Sequence, residues 1–188
     1  MGSKLRVAAV GFLAAFTSIG LGVFAPAANA ATSGSTGTTF TLTGGALSIT
    51  VPASTVSLGT VATGSATVSS PLGSTSVSDQ RGALVAAWTV SVTSTDFTTG
   101  AGSANEKILK DNVSYLSGAA TSSTGTGAFT PGVIASLSAS NVAPGGAWAG
   151  VSNNTAAWNP TVSVILTNSN NTAAVAGLYS GTISQSVA

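Results

Sequence analysis

Apolar residues along this chain recur at every second position, in short runs that Gly, Pro and Asn cut off before a helix could form. The clearest run is Val85, Ala86, Ala87, Trp88, Thr89, Val90, Ser91, Val92 and Thr93. It puts Trp88, Val90 and Val92 on one face and Thr89, Ser91 and Thr93 on the other, the pattern of a strand with one buried side. The same alternation predicts strands at residues 39–43 (Phe40, Leu42), 47–51 (Leu47, Ile49, Val51), 112–116 (Val113, Tyr115), 162–166 (Val162, Val164, Leu166) and 178–187 (Tyr179, Ile183, Val187). Less regular strands are expected around Val56, Leu58 and Val61, at Ala66 and Val68, before a turn at residues 77–82, and over residues 134–142. Gly44-Gly45, Pro52, Pro71 and residues 168–172 punctuate them. Only residues 104–109 (ANEKIL) have helical character, enough for a turn or two. Two segments read as loops: residues 119–127, rich in Gly, Ser and Thr, and residues 144–158, which carry Trp148 and Trp158 among Gly, Ala and Asn. About eight or nine short strands with hardly any helix predict an all-β fold, an antiparallel β-sandwich of Ig-like or Greek-key topology.

The N-terminal segment follows a different rule. Lys4 and Arg6 precede an almost unbroken apolar run at residues 7–25, Pro26 follows, and Ala28-Asn29-Ala30 supplies a small–x–small motif. That is the layout of a secretory signal peptide, with cleavage expected after Ala30. A membrane anchor is the competing reading, and Gly11, Thr17, Ser18, Gly20 and Gly22 dilute the run against it. Residues 31–38 (ATSGSTGT) then read as a flexible leader, and residues 39–188 as one domain long enough for a core. The mature protein is expected outside the cytoplasm, secreted or held at the cell wall, and free of the membrane after cleavage.

Beyond Ala30 the charged residues are Arg81, Lys107 and Lys110 against Asp79, Asp96, Glu106 and Asp111. That is too little positive charge to hold nucleic acid or an anionic membrane. The chain has no Cys and no His, which excludes thiol chemistry, Ser-His-Asp and Cys-His nucleophile systems and the usual zinc ligand sets. Asp79 with Asp96 as glycosidase carboxylates has no spacing in its favour. A calcium site from Asp96, Glu106 and Asp111 lacks the Asp-rich loop such sites use. No catalytic residue, cofactor or metal is expected, and the protein reads as non-enzymatic. Asp79 and Arg81, flanking Gln80 ahead of Gly82, read as a turn clamp. Trp88 reads as a core tryptophan, whereas Trp148 and Trp158 read as loop aromatics with two roles open, contact with a wall polymer or another ligand, or a loop folded back over the end of the sandwich. A nearly uncharged, β-forming chain with a leader strand also points to self-association through open sheet edges.

The landmarks come in a recognisable order: residues 77–82 (VSDQRG), residues 87–92 (AWTVSV), Asp96-Phe97, and residues 176–183 (AGLYSGTI). With these blocks the chain resembles the WxL-type cell-surface domain of Gram-positive bacteria. The resemblance implies a β-sandwich held non-covalently on the cell wall, with peptidoglycan, another wall polymer or surface proteins as partners. It makes Asp79, Arg81, Trp88, Val90 and Tyr179 motif or core residues. The chain departs from the pattern twice. Val90 stands where the motif has Leu, and the second Trp-x-Leu has no counterpart in the closing Ser184, Gln185, Ser186, Val187 and Ala188. The Ala- and Gly-rich composition suits an actinobacterial source. The expected function is that of a secreted, non-catalytic surface protein associating with the cell wall; the alternative is a self-assembling subunit of a surface layer or fibre.

Overall fold

The computed structural model describes residues 33–138 and 144–188. The chain divides into two units, Met1–Phe40 and Thr41–Ala188. In the first, residues 33–40 are exposed and carry no regular secondary structure; the basic and apolar N-terminal segment, with the expected signal peptide and its cleavage point, lies outside the described residues.

The second unit is all-β. Its strands are β1 (Leu47–Thr50), β2 (Thr67–Pro71), β3 (Thr75–Asp79), β4 (Trp88–Ser94), β5 (Phe97–Thr98), β6 (Lys107–Ile108), β7 (Val113–Leu116), β8 (Ala120–Pro131), β9 (Val133–Ile134), β10 (Pro144–Trp158), β11 (Thr161–Ile165) and β12 (Ile183–Val187). Two single 3-10 turns, Ala104–Glu106 and Lys110–Asn112, are the only helical pieces among the described residues, and the first falls within the ANEKIL segment. The larger antiparallel sheet has the order β1-β3-β10-β4-β12, with β8 also paired to β10; the smaller has the order β2-β11-β7-β9. β5 and β6 form a separate ribbon.

β10 organises the larger sheet. β8 runs beside it from Gly146↔Pro131 to Trp158↔Ala120. The other edge of β10 is shared, β4 lying against its first part (Trp148↔Trp88) and β3 against its last (Asn154↔Asp79). Between these parts the β8–β10 register slips, and Ser152 takes a left-handed φ of 60°. Beyond β3 and β4, the final row is β1 on β3 and β12 on β4.

The chain changes sheet at nearly every connection, which explains why the alternating runs are short. Strands β7 to β12 fall in turn to the smaller and the larger sheet. At the β10–β11 corner Pro160 has no N–H to continue a ladder. Its carbonyl accepts from Leu72 N at 2.8 Å, while Asn159 Oδ1 accepts from Gly73 N at 3.1 Å. Gly73 turns there with φ of 97°, a conformation that suits a residue without Cβ.

The core between the sheets gathers Val77, Trp88, Val90, Val92, Trp148 and Trp158 from one side and Val113, Tyr115, Ile134, Val162 and Val164 from the other. Tyr115 ties the sheets together: its hydroxyl accepts from Trp158 Nε1 at 3.1 Å and donates to Gln185 Oε1 at 3.0 Å. Burial pushes the Tyr115 phenol up to about 12, so it stays protonated and able to donate.

Several expected boundaries are corrected. Residues 39–43 and 56–61 form no strand, and the closing strand starts at Ile183 rather than residue 178. Of the strand expected over residues 134–142, β9 covers Val133–Ile134, and residues 139–143 lie outside the described residues. Both expected loops are strands. The segment at residues 119–127 belongs to β8, whose two faces are both largely exposed. A strand with no buried face has no apolar alternation to show.

Candidate functional site

The two tryptophans expected to meet a ligand are in the core. Trp148 is 3% exposed and Trp158 is fully buried. Both sit on β10, not in a loop, and both point inward onto Trp88. The Trp88–Trp148 rings are 6.3 Å apart and tilted by 14°, and the Trp88–Trp158 rings are 6.3 Å apart and tilted by 20°. Phe129 from β8 closes the cluster 5.0 Å from Trp158. Offset stacks of this kind add specific stabilisation to the area they bury, and no face of Trp148 or Trp158 is left for a sugar ring. Trp88 and Val90 are buried as expected, and Tyr179 lies at the core margin with its hydroxyl donating to Val175 O at 3.1 Å.

The turn after β3 is the clamp that its sequence suggests. Asp79 Oδ1 accepts from Arg81 N at 3.0 Å and from Arg81 Nε at 2.9 Å, and Asp79 Oδ2 accepts from Arg81 Nη2 at 2.8 Å. The same Nη2 donates to Ala87 O at 2.9 Å, so Arg81 pins both ends of the 80–87 connection. Beside it the Asn154 side chain accepts from Trp88 Nε1 at 2.8 Å. The Asp79 side chain is fully buried, whereas that of Arg81 is 37% exposed.

Hydrogen bonding from Arg81 holds the Asp79 carboxyl below its ordinary value, against the opposing effect of burial. A depressed native pKa contributes stability that is present above the unfolded value and lost as pH falls through the native one. The wild-type denaturation midpoint should therefore fall on acidification below about pH 4. In Arg81→Gln the buried carboxylate loses its cation, and desolvation then raises its pKa. That variant should be weaker than wild type at neutral pH and recover part of the loss on acidification. Parallel acid profiles in urea would refute the assignment.

The other carboxylates serve local structure. Asp96 Oδ1 accepts from Lys110 N at 2.9 Å. Glu106 Oε2 accepts from Ser103 N at 3.0 Å and Ser103 Oγ at 2.7 Å, and these bonds lower its pKa. Asp111 is exposed. Among the described residues no three acidic side chains gather where they could hold a metal ion, so the calcium set Asp96, Glu106 and Asp111 is not assembled.

Three surface features remain. The first is the outer face of the larger sheet. Cross-strand pairing sets Thr50 beside Ser76, and Ser78 between Ser48 and Thr155, which in turn faces Thr124; farther along, Ser186 meets Ser91 and Ser184 meets Thr93. The Thr124 and Thr155 hydroxyls bond at 2.7 Å. No charged side chain interrupts this face: Asp79 points inward and the other charges downstream of β3 sit at Arg81 and residues 96–111. The second feature is a groove of about 300 Å³ flanked by residues 51–58 and the start of β12. The third is the pair Phe40 and Leu42, 92% and 88% exposed. Sequence reasoning predicted the alternation behind the first feature but not the groove, which is made by residues distant in the chain.

Compared with known proteins, the chain matches no family model, no curated protein and no solved structure.

Proposed function

We propose that this protein is a secreted, non-catalytic β-sandwich of the bacterial surface that associates non-covalently with the cell wall, WxL-like in its Asp79–Arg81 clamp and Trp88 strand. The observation that carries this reading is the uncharged hydroxyl face of the larger sheet. Strands about 4.8 Å apart repeat Ser and Thr hydroxyls, each able to donate and accept. Such a face suits a neutral, hydroxyl-rich polymer, on which many contacts, each weak after desolvation, add up along the chain. The use of all three tryptophans in the core leaves this face, rather than an aromatic platform, as the contact.

An uncharged contact also makes a salt prediction. Protein should pellet with purified cell-wall sacculi, remain soluble without them, and stay bound at high ionic strength, because no ion pairs are there to be screened. Thr89 and Thr93 are exposed at the centre of the face. Thr89→Glu with Thr93→Glu places two carboxylates that must lose water on contact, and should weaken pelleting on the order of tenfold or more. Protein that stays soluble with sacculi, or is released by salt, would overturn the reading. A second reading, a self-assembling subunit, is favoured by the exposed Phe40 and Leu42.

A further inference from the structure

We propose that residues 38–43 are a donor strand, and that its seat is the groove along β12 of a second copy of this chain. The inference rests on the second functional reading, the self-assembling subunit, and supplies its contact.

The donor is a strand by sequence that has no sheet. Thr39, Phe40, Thr41, Leu42 and Thr43 alternate as a half-buried strand should, yet no strand forms there and both apolar side chains face solvent. Single exposed apolar residues are ordinary. A Phe and a Leu at the same face of a β-forming run, both nearly fully exposed, are an unfilled pattern.

The acceptor is unfilled in the complementary way. Among the described residues β12 is the last strand of its sheet and hydrogen-bonds to β4 alone; β1, the other edge of that sheet, approaches its free side without pairing, so the backbone groups of β12 that face this gap are unpaired. The groove lies against the first half of this strand; its apolar lining of Val51, Val56, Leu58, Leu72, Phe97 and Ile183 is interleaved with hydroxyl and amide side chains, and no lining residue is charged. A volume of about 300 Å³ has room for aromatic and aliphatic side chains.

The two patterns match in register type. On β12, Ile183, Gln185 and Val187 are partly buried while Ser184 and Ser186 are exposed. A strand added beside it would turn Phe40 and Leu42 toward the groove and Thr39, Thr41 and Thr43 outward, extending the hydroxyl face by one row. Main-chain bonds would supply affinity and the two side chains specificity, as in other strand additions. Residues 31–50 contain no charge, so neither repulsion nor salt opposes the contact. An arm on one copy and a groove on the next make a heterologous contact, which propagates into open chains unless its rotation closes a ring.

The chain's lack of cysteine makes a clean test. Thr41→Cys in one preparation and Ser184→Cys, exposed on the outward face of β12, in another are mixed and oxidised. Mixed disulfide-linked species are expected in excess over either self-linked dimer. In sedimentation the wild-type protein should grow in mass with concentration, and Phe40→Ser with Leu42→Ser should weaken this on the order of tenfold or more. Its unfolding midpoint should match wild type, since both side chains are exposed. A wild-type protein that stays monomeric would overturn the proposal. So would assembly that survives the double substitution, or a Thr41→Cys/Ser184→Cys chain whose disulfide closes within one molecule. Sacculus binding is read separately: assembly without pelleting refutes the wall reading alone, and pelleting of a strictly monomeric protein refutes the donor strand alone.

Discussion

Trp158→Ala is expected to destabilise the protein by about 3–5 kcal/mol, a large part of the 5–15 kcal/mol of an ordinary domain, roughly. The residue is fully buried, and truncating it removes three things at once. Its stacks on Trp88 and Phe129 disappear. A cavity opens at the centre of the larger sheet. The Tyr115 hydroxyl loses its donor while keeping its bond to Gln185. Trp158→Phe should cost less, because an aromatic ring still fills most of the space and Tyr115 keeps Gln185 as its acceptor. Urea midpoints of the three proteins measure the difference. The same experiment separates two roles for this residue. A loop tryptophan waiting for a ligand would change stability by no more than about 0.5 kcal/mol when truncated.

The parts of the fold that were legible in the sequence are those whose causes are local. The strand holding Trp88, Val90 and Val92 has its burial written as period two, and it is buried on that face. The Asp79–Arg81 clamp spans two residues, so its chemistry could be seen without the fold. What escaped is set by pairing between distant segments. Among the described residues, apart from β5 with β6, no strand pairs with its sequence neighbour, and nothing in a run of residues states which distant run it will meet. β8 is held by backbone bonds to β10 with both faces largely exposed, so its composition resembles a loop. β10 misled for the opposite reason. Its Gly145-Gly146 and Asn153-Asn154 look like turn residues, yet Gly145 lies against Val92 and Tyr115, and Asn154 is the buried acceptor for Trp88.

Phe40 and Leu42 are a third kind of failure. Their alternation is that of a half-buried strand, yet in this chain the domain that follows does not bury it. Pattern specifies that a face wants cover; it does not specify which molecule provides it. The tryptophan reading failed through the same gap between local and distant information: an aromatic residue among Gly and Asn is a ligand contact on a loop and a core residue on a long strand. Only the partner strands β4 and β8 decide between them.

Gly150→Ala carries that distinction to a position where the change is a single methyl group. Gly150 stands directly opposite Gly127 in the β8–β10 ladder. A Cβ on Gly150 would overlap Thr126 O and lie 2.7 Å from Trp148 Nε1 and 2.9 Å from the Gly127 Cα. The Trp148 indole thus rests across a floor of two glycines, its Nε1 buried without a hydrogen-bond partner among the described residues. The backbone at Gly150 is not left-handed, so the requirement for glycine is one of space and not of conformation. Alanine must either push β8 from β10 or lift Trp148 off its stack with Trp88, and overpacking of this kind costs about 1–3 kcal/mol. The urea midpoint should fall accordingly, and the near-ultraviolet dichroism of the stacked indoles should weaken with it. Gly34→Ala, where nothing lies within 4 Å, should leave both signals unchanged. A glycine kept only to make a loop would tolerate alanine when its φ is negative; a glycine that makes room for a tryptophan between two strands would not.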